Sequence, residues 1–246
     1  MTADITKELL PGRAAPVLFT EETDSTNNEL KRMASEARSG TVLISARQTA
    51  GKGRSGRSFI SNEGGLYYSM LLKFAEPDER LLNATPLTAV AVVRTLQSFG
   101  VNGAEIKWPN DILLGGKKLC GILTECVTDK DGMKLIVGIG INVNTDSFPE
   151  DIAQIACSVK SVTGKSLNVR RMGMELTRQL DRVFEALPEY APEDLAQYRN
   201  LCGTIGKKIS VGGVAVRIED DFSLTARMPD GSEKRIFFGE IFHTEN

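Results

Sequence analysis

A chain of 246 residues, 41% hydrophobic and 25% charged, has ordinary globular composition and room for one large domain, or one large and one small. Its net charge of −2 gives no global basic field to draw it to nucleic acid, so any basic character is local. The sequence shows no secretory signal and no run of about eighteen apolar residues. Cys120, Cys126, Cys157 and Cys202 lack CxxC spacing and neighbouring histidines, which argues against zinc and a disulfide framework and suits a reducing cytoplasm.

Residues 1–16 read as a tail. Residues 17–20 read as a short strand, and Asp24-Ser25-Thr26-Asn27 leads into a helical pattern running to about 38, with Gly40 as its stop. Residues 41–46 are strand-like, 48–62 form a polar, glycine-rich loop, and 65–74 are strand-like again. Thr85 as N-cap and Pro86 as first residue predict a helix to about 99, ended by Gly100. Strands follow at 105–108, 112–114 and 118–128, with a hairpin turn at Gly115-Gly116. A second turn at 129–132 leads into a strand at 134–143, so antiparallel hairpins extend one sheet. Residues 148–201 read as mostly helical. Met172, Leu176, Leu180, Val183 and Phe184 fall at helical spacing, as a core face would, and Pro188 and Pro192 break the chain before a last short helix. From Gly203 the period becomes two, with strands at 209–211, 214–218, 224–228 and 235–238 and turns at Gly212-Gly213 and Asp230-Gly231. This is the pattern of a small β-barrel.

The segment Gly51-Lys52-Gly53-Arg54-Ser55-Gly56-Arg57-Ser58 contains GxGxxG and nearly matches a Walker A loop. Both motifs need a following helix whose N-terminus faces phosphate, whereas a strand follows here. What remains is either a loop of glycines and cations that folds over an anion, or a solvated connector. In Lys107-Trp108-Pro109-Asn110-Asp111, Asp111 could hold Mg²⁺ and Lys107 could meet a phosphate or carboxylate; a structural turn around a packed tryptophan is the alternative. Lys118 enters a strongly apolar strand, where a lysine is ordinarily on an exposed face. Cys120 and Cys126 share a strand face by parity and read as small buried hydrophobes. In IVGIGINVNT, residues 136–145, alternate glycines either open a strand to a ligand or simply pack, and Asn142 offers an amide.

Taken in order, these pieces resemble the biotin protein ligases. Asp24-Ser25-Thr26-Asn27 is similar to the family's DSTN element, and QTAGKGRSGR (48–57) to its Q-x-AGRGRxGR biotin loop. KWPND (107–111), KLCGILTE (118–125, as K-x-x-GIL-x-E) and GIGINVN (138–144) follow in register, with Gly239-Glu240-Ile241 near the end. The resemblance runs from about residue 17 to the end. It implies an α/β (α+β) catalytic domain over 17–201, similar to class II aminoacyl-tRNA synthetases with a mixed or antiparallel sheet, and a small SH3-like β-barrel over 202–246. It also implies that no N-terminal winged helix-turn-helix precedes the catalytic pattern, and hence no sequence-specific DNA binding.

The implied reaction is ATP-dependent activation of biotin to biotinyl-5′-AMP with release of pyrophosphate. Biotin then passes to the acceptor lysine of a biotin carboxyl carrier protein. By the same resemblance Ser25, Thr26, Asn27 and Gln48 contact biotin, and Lys52, Gly53 and Arg54 close over it and the adenylate. Lys118 bridges carboxylate and phosphate, Asn142 lies near the nucleotide, and Asp111 lies near Mg²⁺ or the incoming lysine. A carboxylate attacking the α-phosphate of ATP is an anion approaching an anion. Arg54, Arg57, Lys107, Lys118 and Mg²⁺ are the counter-charges such a step needs. No covalent enzyme intermediate is required, which fits a chain whose single histidine, His243, stands near its C-terminus. Two departures from the pattern are Lys52, which keeps charge but loses the bidentate fork of arginine, and Phe59 in place of a common tryptophan. The alternatives are a lipoate ligase or octanoyl transferase of the same fold, or a non-catalytic biotin- or nucleotide-binding module. The resemblance further suggests a cytoplasmic protein with no membrane association and a homodimer through the main sheet.

Overall fold

The computed structural model describes residues 2–210 and 212–237. Eight strands form the larger sheet, the longer ones from runs rich in β-branched and aromatic residues: β1 (Ala3–Asp4), β2 (Val17–Thr23), β3 (Val42–Gln48), β4 (Leu66–Phe74), β5 (Ala104–Lys107), β6 (Asp111–Leu114), β7 (Lys117–Asp129) and β8 (Gly132–Ile141). They form one sheet in the order β1-β2-β3-β4-β8-β7-β6-β5. Every neighbouring pair is antiparallel except β2 and β3, which run parallel and are joined by the crossover helix α2 (Thr26–Met33).

Strand parity sorts the side chains to two faces. Val42, Ile44, Met70 and Val137 enter the main core beneath α3 (Ala84–Ser98) and α5 (Val169–Phe184), while Leu43, Leu71 and Ile136 point the other way, beneath Leu30 of α2. Fully burying Leu30 is worth roughly 1.5–3 kcal/mol and pins α2 to the sheet. α2 covers only part of its face; the uncovered part becomes the site.

Several expectations are corrected. Residues 1–16 are not a bare tail: β1 pairs with β2, α1 (Thr6–Leu9) follows, and Ile5 and Leu10 join the main core. A two-residue strand and a one-turn helix are too short to produce a period. α2 ends at Met33 rather than near 38. α3 starts at Ala84, straight out of a 3₁₀ turn (Glu79–Asn83) capped by Asp78. Thr85 is therefore not the N-cap; it lies inside the helix, and its hydroxyl pairs with Thr124 of β7 at 2.7 Å. Cys126 is exposed, because the β7–β8 hairpin outruns the core; Cys120, Cys157 and Cys202 are buried, and all four thiols are free.

The expected turn at Gly115-Gly116 is present, with φ of 59° and 78°, the paired left-handed conformations of a tight hairpin. Helices α4 (Val159–Thr163), α5 and α6 (Pro192–Leu201) lie within the stretch expected to be mostly helical, and Met172, Leu176, Leu180 and Val183 are buried as the spacing requires. Residues 148–157, by contrast, are not helical. The C-terminal sheet has the order β11-β10-β9, from β9 (Val214–Ile218), β10 (Leu224–Arg227) and β11 (Glu233–Ile236). The strand expected at 209–211 appears, among the described residues, only as a bridge between Lys208 and Val214. Gly239-Glu240-Ile241 and His243 lie outside the described residues. The small sheet docks on the β5–β6 end: the Trp108 indole donates to the Phe222 carbonyl at 2.8 Å, and Gly203 N–H to the Ile106 carbonyl at 3.0 Å.

Candidate active site

The floor of the site comes from the strand register. Lys107 pairs with Asp111, Asp111 with Gly121, and Gly121 with Gly140, so these four stand in one row across β5, β6, β7 and β8. Two residues along, on the same face, Leu123, Gly138 and Ser69 form a second row. The glycines make room for side chains of the protein itself. A Cβ at Gly138 would stand 2.2 Å from Asn27 Oδ1, and one at Gly140 would stand 2.6 Å from the Phe59 ring. The alternation of Gly138 and Gly140 thus reports close approach by Asn27 and Phe59.

Lys118 reaches this face through a bulge. Ile112 pairs with Cys120 but Leu113 pairs with Lys118, leaving Leu119 as an extra residue. Regular alternation would turn Lys118 the same way as Cys120 and Ile122, into the core. The bulge shifts the parity: Leu119 and Cys120 are both fully buried, and Lys118 stands beside Gly121. Its Nζ lies 2.7 Å from Asp111 Oδ1, as an ion pair without hydrogen-bond geometry, since that oxygen has no hydrogen-bond partner. Burial pulls the Lys107 ammonium below its ordinary pKa. Lys118, Arg57 and Lys207 add to this, against the opposing charge of Asp111.

The start of α2 forms one side wall. Ser25 is the N-cap residue but makes no capping bond with its side chain. Thr26 donates from its backbone N–H (2.8 Å) and its hydroxyl (3.1 Å) to Gln48 Oε1, and Gln48 Nε2 donates to Ser61 Oγ at 2.9 Å. The Ser69 hydroxyl lies 2.7 Å from Thr26 Oγ1 and 2.6 Å from Asn27 Oδ1. Asn27 Nδ2 donates to Glu125 Oε2 at 2.7 Å and to the Leu123 carbonyl at 3.2 Å.

The cation-bearing loop folds over the floor as a small hairpin. Gly53 N–H donates to the Arg57 carbonyl at 2.7 Å, Phe59 N–H donates to the Gly51 carbonyl at 2.9 Å, and Ser55 and Gly56 turn the chain with φ of 55° and 74°. A Cβ at Gly51 would meet the Phe59 carbonyl at 2.4 Å, so only glycine closes this hairpin. Lys52 Nζ donates to Asn28 Oδ1 at 2.8 Å on one side, and Arg54 donates to Asn110 Oδ1 at 2.9 Å on the other. Asn110 is itself held by its Nδ2 bond to the Ile122 carbonyl. A strand, β4, follows the loop, as argued against both phosphate-loop motifs.

The opposite wall was missed in the sequence. Phe148, Ile152 and Ile155 line the cavity, and Ile155 is 64% exposed. Their spacing of four and three imitates a helix face. Yet the backbone of this segment is tied to the bulge instead: Lys118 N–H donates to the Ile155 carbonyl at 2.7 Å, and Cys157 N–H donates to the Lys118 carbonyl at 2.9 Å. Asn142, nearly buried, joins the same wall, its Nδ2 donating to the Cys157 carbonyl at 3.1 Å.

Floor, walls and loop enclose a cavity of about 900 Å³. Ser25, Thr26, Asn27, Gln48, Lys52 and Gly53 line it, and so do Arg54, Arg57, Lys107, Asp111, Lys118 and Asn142. The twelve residues given a biotin, nucleotide or counter-charge role in the sequence reading therefore line one cavity. Among the described residues no group of three or more His, Cys, Asp or Glu could hold a metal ion, and no helix is long and apolar enough to cross a membrane.

The model of the biotin/lipoate A/B protein ligase family matches residues 19–142. The bifunctional ligase/repressor BirA of Bacillus subtilis is 39% identical over 157 residues, 62% of this chain and 48% of that protein. The chain thus spans about half the length of such relatives. The biotin–[acetyl-CoA-carboxylase] ligase of Mycobacterium tuberculosis is 30% identical over 197 residues, 77% of this chain and 72% of that protein. The structure of the Aquifex aeolicus biotin protein ligase in complex with biotin and ATP superimposes with a TM-score of 0.82 at 31% identity, covering 94% of this chain and 99% of that one.

Proposed function

The chain belongs to the biotin/lipoate A/B protein ligase family, and from that membership we propose that it is an ATP-dependent biotin protein ligase. It joins biotin to AMP with release of pyrophosphate and passes the biotinyl group to a lysine of a biotin carboxyl carrier protein. The observation that carries this reading is the joint presence, in one cavity, of an amide- and hydroxyl-lined end and a cationic end. Ser25, Thr26, Asn27 and Gln48 offer hydrogen-bond partners for a cyclic urea. Lys107, Lys118, Arg54 and Arg57 meet the carboxylate and the phosphates.

Lys118 is central. With substrates bound, it exchanges the Asp111 carboxylate for the biotin carboxylate and the α-phosphate, drawing two anionic oxygens together. The bonds that form and break are the carboxylate oxygen to the α-phosphorus and the α-phosphorus to the bridging oxygen of pyrophosphate. The acceptor amine then attacks the mixed anhydride at its carbonyl, and AMP leaves. Neither step needs a protein nucleophile. Among the described residues two carboxylates line the cavity, Asp111 and Asp151, and Asp111 Oδ1 is paired with Lys118 but accepts no hydrogen bond; so small a donor set fits a Mg²⁺ that arrives on the nucleotide rather than one resident in an all-protein cage. When bound, Mg²⁺ would neutralise phosphate charge. Four free thiols suit a reducing cytoplasm.

The test is isotope exchange between pyrophosphate and ATP. The reading requires exchange stimulated by biotin, and label transfer to a carrier domain. Exchange stimulated by lipoate or octanoate and not by biotin would overturn it.

A further inference from the structure

Glu125, on β7, does not line the cavity, and the reaction as derived above does not use it. It stands behind Asn27. Its Oε2 accepts from Asn27 Nδ2 at 2.7 Å, and its Oε1 is paired with Lys31 of α2. The carboxylate is only 24% exposed. On the other side of the amide, Asn27 Oδ1 lies over Gly138, within 2.6 Å of the Ser69 hydroxyl, and Gly138 lines the cavity.

An asparagine amide has two faces of opposite polarity, and its orientation decides whether it offers donors or an acceptor. Here the orientation is dictated. The NH₂ meets two acceptors, the Glu125 carboxylate and the Leu123 carbonyl. A flipped amide would set Oδ1 against both of them and leave them unpaired in a half-buried place.

We propose that Glu125 is a positioning residue that sets ligand specificity: by holding the Asn27 NH₂ inward, it makes the polar end of the cavity an acceptor for ring N–H donors. This rests on the biotin reading, since a cyclic urea carries such donors and a dithiolane ring or an alkyl chain carries none. Lys31 holds the carboxylate in place and keeps it charged. Burial alone would raise the Glu125 pKa, and the bonds from Lys31 and Asn27 outweigh burial and lower it.

The experiment uses the full chain. Glu125→Met keeps the volume of the side chain and removes both acceptor oxygens. Its KM for biotin in pyrophosphate exchange rises about tenfold or more, while its KM for ATP stays within about twofold of the parent. Glu125→Gln, nearly isosteric and the safer variant for folding, offers Asn27 either an oxygen or an NH₂, so its KM for biotin lies between the two. In an Asn27→Ala background, Glu125→Gln changes the KM for biotin by less than about twofold, because the residue it acts through is gone. The proposal is overturned if a folded variant keeps the parental KM for biotin. It is equally overturned if KM for ATP rises in step, or if the Glu125 effect persists in full without the Asn27 amide. A parent protein with no biotin-dependent exchange at all would refute the biotin reading itself, an outcome separate from these.

Discussion

The floor of the cavity and its cover are built on different principles. The floor is a sheet surface. Its rows are fixed by the ladders of β5 to β8, its glycines are shaped to Asn27 and Phe59, and the core beneath α3 and α5 supports it. The cover is a hairpin of largely exposed residues. Its side-chain latches include Lys52 to Asn28 and Arg54 to Asn110, both to neutral amides. Opening the floor means breaking the sheet, whereas the cover can open with the sheet intact. On the proposed function, the difference divides the chemistry: recognition would belong to a preformed surface, and exclusion of water to an element whose equilibrium the ligand would shift.

The strongest way to break the comparison is to damage the floor. Gly138→Ala would place a Cβ 2.2 Å from Asn27 Oδ1, forcing the amide aside. Biotin-dependent exchange is expected to fall by about two decades, with a melting temperature lowered by strain of about 1–3 kcal/mol. Exchange at the parental rate would show that the Asn27 geometry does not matter.

Lys118→Ala comes next. Lys118 is largely surrounded by cavity rather than core, so folding should be nearly unaffected, while adenylate formation drops by one to two decades, as expected for about 1.5–3 kcal/mol of charge-assisted bonding. Single-turnover formation of biotinyl-AMP is the measurement, and a parental rate in a folded variant would remove Lys118 from the reaction.

A smaller effect is expected in the cover. Lys52→Ala removes one latch, and should speed tryptic nicking at Arg54 and Arg57 and release of biotinyl-AMP to solvent by about threefold to tenfold, leaving its formation unchanged. Equal release rates would mean that the latch carries no weight.

The smallest effect is on stability in acid. The Glu125 carboxyl is held below its ordinary value of 4.5, so over that range the unfolded chain binds more protons than the folded one. The stability it contributes is complete above the ordinary value and is lost as pH falls through the lowered one. Glu125→Gln should therefore flatten the acid limb of denaturant unfolding below pH 4.5 and leave its shape near neutrality unchanged. An unaltered acid limb would contradict the pairing with Lys31 and Asn27.

Much of this was legible in the residue pattern, because local chemistry decides it. Gly115-Gly116 could only be a tight turn, the α5 face had to be core, and the loop and strand motifs named the family and the cavity residues together. What escaped was non-local. The bulge at Leu119, which re-aims Lys118, exists only in the pairing of β7 with β6. The wall of Phe148, Ile152 and Ile155 carried helical spacing, yet the Lys118 backbone holds it as a loop. The hydroxyl of Thr85 looked like a cap until β7 supplied Thr124. Glu125 was visible as the last letter of KLCGILTE, but its work on the Asn27 amide depends on the packing of α2 against β7 and β8.

Limited trypsin digestion tests the contrast between floor and cover most directly, because Lys52, Arg54 and Arg57 place cleavage sites within the cover itself. Without ligands, the first cuts should map to these residues while the sheet stays intact. Biotin with Mg-ATP should suppress them, since an anion draws together cations that otherwise repel. Equal cleavage with and without ligands, under conditions where bound biotinyl-AMP is demonstrated, would contradict the account.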